Sequence, residues 1–216
     1  MKKEFSSKPE KIIEEWPGQF TTIGSWHEVI TQMPQPLFVV TGWKPNGKEN
    51  ACLQSSSTFV GSGGEFICIL GWVQKGGHMY QSLKETGCCV LNFPTRELSE
   101  KCFKTIENNG FETDEITASG LTAEKATKVN APRIKECFLN IECEYLWEQV
   151  LSPENPDMVV LAVKAVNICM DQDYYDQNKI GRYGKTGYLY LANPPHNPDT
   201  GEVGVSGYAA LEIYSD

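Results

Sequence analysis

Two long runs of alternating residues constrain this chain more than any other feature. Arg133 to Trp147 carries Ile134, Cys137, Leu139, Ile141, Cys143 and Tyr145, and Met158 to Met170 is a second, valine-rich run of the same kind. That period is the mark of a long, half-buried strand, and the two runs bracket a turn, Ser152-Pro153-Glu154-Asn155-Pro156. Shorter strand signals stand at Leu37 to Thr41, Asn50 to Thr58, Phe66 to Leu70 and Cys88 to Phe93. Between the first two of these, Trp43-Lys44-Pro45-Asn46-Gly47-Lys48 supplies Asn-Gly, a strong hairpin signal.

Helical signals are fewer. Ser25 is placed to cap a short helix, with Glu28 at capping-box spacing and Pro34 and Pro36 beyond it. His78 to Glu85 has Tyr80 and Leu83 at helical spacing, with Gly87 as the C-cap. Glu97 to Asn108 reads as an amphipathic helix closed by Asn109-Gly110, and Phe111 to Thr127 as a polar loop with a short helix near Ala123. Many strands, few helices and no regular βα alternation predict a mainly β fold, a β-barrel with a few peripheral helices.

With 216 residues the chain fits one domain. A charged arm, residues 1–15, with Ile12 and Ile13 against the body and Pro17-Gly18 ending it, precedes the barrel. An extended segment, residues 176–216, follows and includes the proline-stiffened Asn193-Pro194-Pro195-His196-Asn197-Pro198. Nineteen basic against 28 acidic side chains give a net charge of −9. That balance argues against nucleic acid, whose binding requires Lys and Arg to neutralise phosphates. No apolar run approaches the roughly 20 residues of a membrane span, and no apolar segment follows Lys2 and Lys3, so a cytoplasmic location is expected. The eight cysteines then read as free thiols. Cys88 and Cys89, adjacent on a strand, face opposite sides; Cys137 and Cys143 would share a face on an unbroken strand. None has the close spacing of a zinc site.

Two glycine-rich stretches imitate nucleotide loops. Gly61-Ser62-Gly63-Gly64 precedes a strand rather than a helix, and Gly181-Arg182-Tyr183-Gly184-Lys185-Thr186 has Lys179 where the first glycine of a P-loop would fall. The three histidines, His27, His78 and His196, are too scattered to suggest a catalytic triad.

Asn50 to Thr58 is the densest cluster of small hydrogen-bonding residues. Ser55, Ser56, Ser57 and Thr58 present four hydroxyls on short side chains, which suits the approach of an oxyanion or a ring edge. On local composition alone the commoner reading is a plain polar strand end or loop beside Gly61, Gly63 and Gly64.

The order of several motifs resembles the flavin reductase-like family of FMN-binding split barrels, the group that includes flavoredoxins. These are Pro-Leu-Phe-Val-Val-Thr-Gly from Pro36, Asn50-Ala51-Cys52-Leu53-Gln54-Ser55, His78-Met79-Tyr80 before Gly87, Val90-Leu91-Asn92-Phe93-Pro94, Ser119-Gly120-Leu121-Thr122, and Ala131-Pro132-Arg133-Ile134-Lys135-Glu136-Cys137. The resemblance implies a six-stranded split barrel and a homodimer with FMN at the subunit interface. It implies that Ala51, Cys52, Leu53, Gln54, Ser55, Ser56 and Ser57 run along the isoalloxazine and ribityl chain toward the phosphate. Lys75, His78 and Tyr80 would complete the phosphate pocket, with Asn92 as a polar neighbour. Many members carry an aromatic where Ser56 stands, and a basic residue where Gly76 and Gly77 stand. Tyr183 and Tyr188 are further aromatic candidates, with a core role the commoner one for tyrosine.

The function expected from this resemblance is flavin-mediated oxidation and reduction with NAD(P)H as donor and no catalytic side chain. An FMN electron carrier serving a redox protein, without its own pyridine nucleotide site, is the alternative; a thiol or metal protein built on the cysteines is a third.

Overall fold

The computed structural model describes residues 2–13, 25–176, 181–205 and 207–214. In chain order the elements are α1 (Trp26–Thr31), β1 (Gln35–Pro36), β2 (Phe38–Trp43), β3 (Glu49–Gln54), β4 (Ser57–Ser62) and β5 (Glu65–Gln74). Next come α2 (His78–Thr86), β6 (Cys88–Phe93), a 3-10 turn at Arg96–Leu98, α3 (Ser99–Glu107) and α4 (Glu115–Ala118). The rest are β7 (Ala123–Lys125), β8 (Pro132–Ile134), β9 (Leu139–Ser152), β10 (Asn155–Met170), α5 (Gln172–Tyr175), β11 (Leu189–Ala192) and β12 (Gly207–Ala210). The fold is mainly β. Glu14, Glu15, the Pro17-Gly18 stop and Lys179 lie outside the described residues.

The chain forms two compact units, one of residues 36–189 and 210–216, the other of 1–35 and 190–209. The larger unit is built on a seven-stranded sheet in the order β3-β2-β6-β9-β10-β5-β4. Its two edge strands, β3 and β4, are consecutive in the chain and separated only by Ser55 and Ser56. A link that short spans no more than about 10 Å, so the sheet must curl until its edges meet. Barrel closure therefore follows from connectivity. Counted as one strand bent at Ser55–Ser56, β3 and β4 reduce the seven strands to six.

Alternation along the strands sorts residues to the two faces of the sheet. Phe38, Val40, Leu70, Cys89, Leu91, Phe93, Ile141, Leu161 and Val163 fill the barrel interior. Their neighbours Val39 and Ala51 pack outside it against Cys102 of α3 and Ile116 of α4. Cys88 and Val90 turn away from Cys89 into a third cluster, so the adjacent cysteines do face opposite sides. Cys137 and Cys143 do not share a face: the strand is broken before Leu139, and they belong to different clusters. All eight cysteines are free.

Several local readings match the structure. The Asn46-Gly47 turn closes the β2–β3 hairpin, with Lys44 N–H donating to Lys48 O at 2.9 Å and Gly47 at φ 79°. Ser25 caps α1 by accepting from His27 N–H, and Gly87 ends α2 in the left-handed conformation. Gly63 and Gly64 turn the β4–β5 hairpin and lead into a strand.

Three readings need correction. Asn50 to Thr58 is not a single strand, because Ser55 and Ser56 turn the corner between opposite edges of the sheet. Arg133 to Trp147 is likewise two strands, β8 and β9, because the chain turns at 135–138. Near Ala123 there is a strand, β7, paired with β8; the short helix of that loop lies earlier, at α4. A period-2 signal does not register a corner where hydroxyls replace apolar residues.

β1, β11 and β12 form a three-stranded sheet in the order β1-β11-β12. Ile12 is buried against Val29 of α1, whereas Ile13 is exposed. His196 of the proline-rich stretch is buried, and its N–H donates to Val29 O at 3.1 Å.

Candidate functional site

The corner at Ser55–Ser56 is held by hydrogen bonds that converge on Gly71 of β5. Gly71 N–H donates to Ser56 O at 2.6 Å, and Gln54 Nε2 donates to Gly71 O at 2.5 Å. A side chain at position 71 would not fit, since an added Cβ would meet Ser56 O at 2.2 Å. Trp72 follows with φ 49°, a left-handed conformation that costs a non-glycine residue roughly 1–2 kcal/mol. Ser55, Ser56 and Ser57 are half-buried here. Ser57 N–H donates to Ser55 O at 2.6 Å, while the buried Ser57 Oγ has no hydrogen-bond partner in the structure. A buried hydroxyl left unmatched costs about 1–3 kcal/mol, so the corner favours a ligand that supplies the missing partner.

The second wall is the start of α2. Its N-cap, Gly77, offers no side-chain acceptor, and the first helical bond runs from Gln81 N–H to Gly77 O. The N–H groups of His78, Met79 and Tyr80 are thus without intrahelical acceptors at the positive end of the helix dipole, a setting that favours an anion. Lys75, half-buried, comes just before it, and among the described residues no carboxylate pairs with its ammonium group. The Tyr80 hydroxyl is engaged, donating to Glu148 Oε1 at 3.1 Å.

A buried polar network joins β3 to the start of α2. Glu115, fully buried on α4, accepts from Ala51 N–H through Oε2 at 2.6 Å, while its Oε1 lies 2.7 Å from Lys44 Nζ and 3.4 Å from His78 Nδ1. Lys44, also shut off from solvent, donates to Gly110 O at 2.7 Å and Thr113 O at 2.8 Å. A buried ion pair persists only when its remaining hydrogen-bonding capacity is filled, and these backbone groups fill it. Cys52 stands close by; burial, with a contribution from the Glu115 charge, pushes its thiol up to about 12. It is a neutral thiol rather than a nucleophile.

The expected residues fall on two segments, the end of β3 with the serine corner and the stretch from Lys75 into α2. Ala51, Cys52, Leu53 and Gln54 form β3 leading into the serine corner, and Glu115 joins Ala51 to His78. Asn92 stands apart. It is fully buried, its Nδ2 donating to Val39 O and Thr41 Oγ1 and its Oδ1 accepting from Ile134 N–H and Asn140 Nδ2. Its amide is used within the fold, fastening β2, β6, β8 and β9. Tyr188 packs edge-on against Phe93 and Phe138, which is a core role.

Lys44 and Glu115 escaped the sequence reading. Lys44 looks like an ordinary hairpin lysine and Glu115 like one more acid in a polar loop. Only tertiary packing distinguishes them.

Comparison with known proteins gives one consistent picture. A family model described as "Flavin reductase like domain" matches residues 30–184. Flavoredoxin of Desulfovibrio vulgaris (Miyazaki F) superposes with a TM-score of 0.66 at 17% identity, over 85% of this chain and 90% of that one. Nitrilotriacetate monooxygenase component B from Bacillus cereus does so with a TM-score of 0.70 at 18% identity, over 87% and 89%. An FMN-binding protein from Thermus thermophilus, with bound p-hydroxybenzaldehyde, gives 0.64 at 13% identity, over 85% and 91%.

Proposed function

The chain belongs to the flavin reductase-like family, and from that premise we propose that it is an FMN-binding oxidoreductase that passes electrons from NAD(P)H through bound FMN. The observation that carries this reading is the serine corner at the end of β3 together with the uncapped start of α2, which Glu115 joins to β3 through Ala51 N–H and His78 Nδ1. Ser57 Oγ is an orphaned polar atom, the contact of Gly71 with Ser56 leaves bare backbone at the corner, and α2 offers free N–H groups. Hydroxyls and amides suit a ribityl chain and a phosphate, so the residues fit the cofactor. Two of the structures that share the fold are named as a flavoredoxin and an FMN-binding protein.

FMN supplies the hydride and electron chemistry when bound; the protein's part is to bind, orient and exclude water. Ala51, Cys52, Leu53 and Gln54 would line the ring. Ser55, Ser56 and Ser57 would meet the ribityl and phosphate oxygens. The α2 N-terminus would neutralise phosphate charge with help from Lys75. No residue is required to exchange a proton with substrate. A homodimer accords with the exposed Trp72, Trp147 and Leu151 on β5 and β9, large apolar side chains that a second subunit would cover.

The test is to add FMN to purified protein and record the visible spectrum before and after NADH or NADPH. Stoichiometric yellow protein that bleaches with either nucleotide is the expected outcome. Yellow protein inert to both but reducible by dithionite would instead make it a carrier for a redox protein. Colourless protein holding stoichiometric zinc would refute both.

A further inference from the structure

Resting on the FMN reading above, we propose that Glu115 is a positioning residue that fixes the His78 imidazole with its proton on Nδ1, so that Nε2 accepts a hydrogen bond from a hydroxyl or N–H of the flavin. This separates His78 from the phosphate, which is left to the α2 backbone and Lys75.

The case is geometric. Both Glu115 oxygens are occupied by donors, Oε2 by Ala51 N–H at 2.6 Å and Oε1 by Lys44 Nζ at 2.7 Å. A carboxylate held by an ammonium and an amide is an acceptor on every side. The ring nitrogen 3.4 Å away must therefore present a proton to it. In a neutral imidazole one nitrogen donates and the other accepts, which makes Nε2 the acceptor, and among the described residues no hydrogen bond engages Nε2. Rotation of the ring is opposed by Phe111, edge-on at 5.8 Å between centroids. The ring is 19% exposed, so it is both anchored and accessible. A lone-pair acceptor repels a phosphate oxygen but suits a ribityl hydroxyl or a flavin N–H. The same arrangement, one imidazole nitrogen fixed by a carboxylate to define the role of the other, recurs at metal and catalytic sites.

The experiment pairs FMN with riboflavin, which lacks only the phosphate, and uses His78→Phe, Glu115→Gln and the double variant. His78→Phe is expected to weaken both ligands by the same factor, on the order of tenfold for a lost hydrogen bond. A loss confined to FMN would return His78 to the phosphate and overturn the proposal. Glu115→Gln is expected to weaken both ligands in the native background and to have no further effect beside His78→Phe; additive losses would mean that Glu115 acts through the fold alone. Nitrogen-15 shifts of His78 in the flavin-free protein decide the tautomer directly. A protonated Nδ1 that becomes a tautomer mixture in Glu115→Gln supports the proposal, and a protonated Nε2 in the native protein refutes it. If the native protein bound neither flavin, the FMN reading would fail, while the nitrogen-15 spectrum would still decide the role of Glu115.

Discussion

Lys44 Nζ and Glu115 Oε1 lie 2.7 Å apart with neither side chain exposed to solvent. Removing one partner of such a pair leaves an uncompensated buried charge and costs about 3–5 kcal/mol. Lys44→Met should therefore lower the melting temperature by roughly 10 °C, given the usual 2–4 °C per kcal/mol for a chain of this length. Pairing Lys44→Met with Glu115→Gln removes both charges, and thermal unfolding should show a smaller loss than the sum of the single changes.

Ser57→Ala separates stability from binding. Its hydroxyl has no partner in the structure, so the flavin-free protein should melt at an unchanged or slightly higher temperature. FMN affinity should fall by about 1–3 kcal/mol if Ser57 contacts the flavin, and the Ser55→Ala, Ser57→Ala double variant should fall at least as far. Fluorescence titration alongside calorimetry measures both. Unchanged affinity in the double variant would place the phosphate elsewhere.

At Gly71 a methyl group would stand 2.2 Å from Ser56 O and 3.2 Å from Ser56 C. Backbone must move to admit it, and overpacking of this kind costs about 1–3 kcal/mol. Gly71→Ala should loosen the joint between β3 and β4 and weaken flavin binding more than its loss of stability suggests. Hydrogen exchange at Gly71 N–H, compared with the native protein, reads the joint directly.

Glu142 predicts how the protein responds to acid. Burial alone would raise its carboxyl, but the Thr127 and Lys128 N–H groups, Asn167 and the Arg133 charge outweigh burial and hold it below the ordinary value of 4.5. A folded-state value below the unfolded one means that the unfolded chain binds the proton more readily. The stabilisation is therefore complete above pH 4.5 and is lost as pH falls through the lower folded value. Glu142→Gln should be less stable than the native protein at pH 7 by about 2 kcal/mol, with the gap narrowing in urea titrations as pH falls below 4.5 through the lower folded value.

The barrel was legible in the sequence because its strands carry their own period. Cys89, Leu91 and Phe93 alternate with Cys88 and Val90, and the helix of His78 to Thr86 announces its end at Gly87. The hydroxyls of Ser55 to Ser57 were legible as chemistry but not as a corner, since barrel closure is a long-range relation between β3 and β4. Lys44 and Glu115, 71 positions apart by number, left no local trace. Asn92 shows the opposite case: a polar residue in a motif strand reads as a ligand contact, yet its side chain bonds to Val90 of its own strand and to Val39, Thr41, Ile134 and Asn140 around it.

The most direct test of the central claim is titration of the flavin-free protein with FMN, followed by flavin fluorescence. Saturable quenching at one FMN per chain in the native protein, weakened in the Ser55→Ala, Ser57→Ala variant, is the predicted result. Fluorescence that stays that of free FMN through millimolar protein would contradict a flavin site at the serine corner.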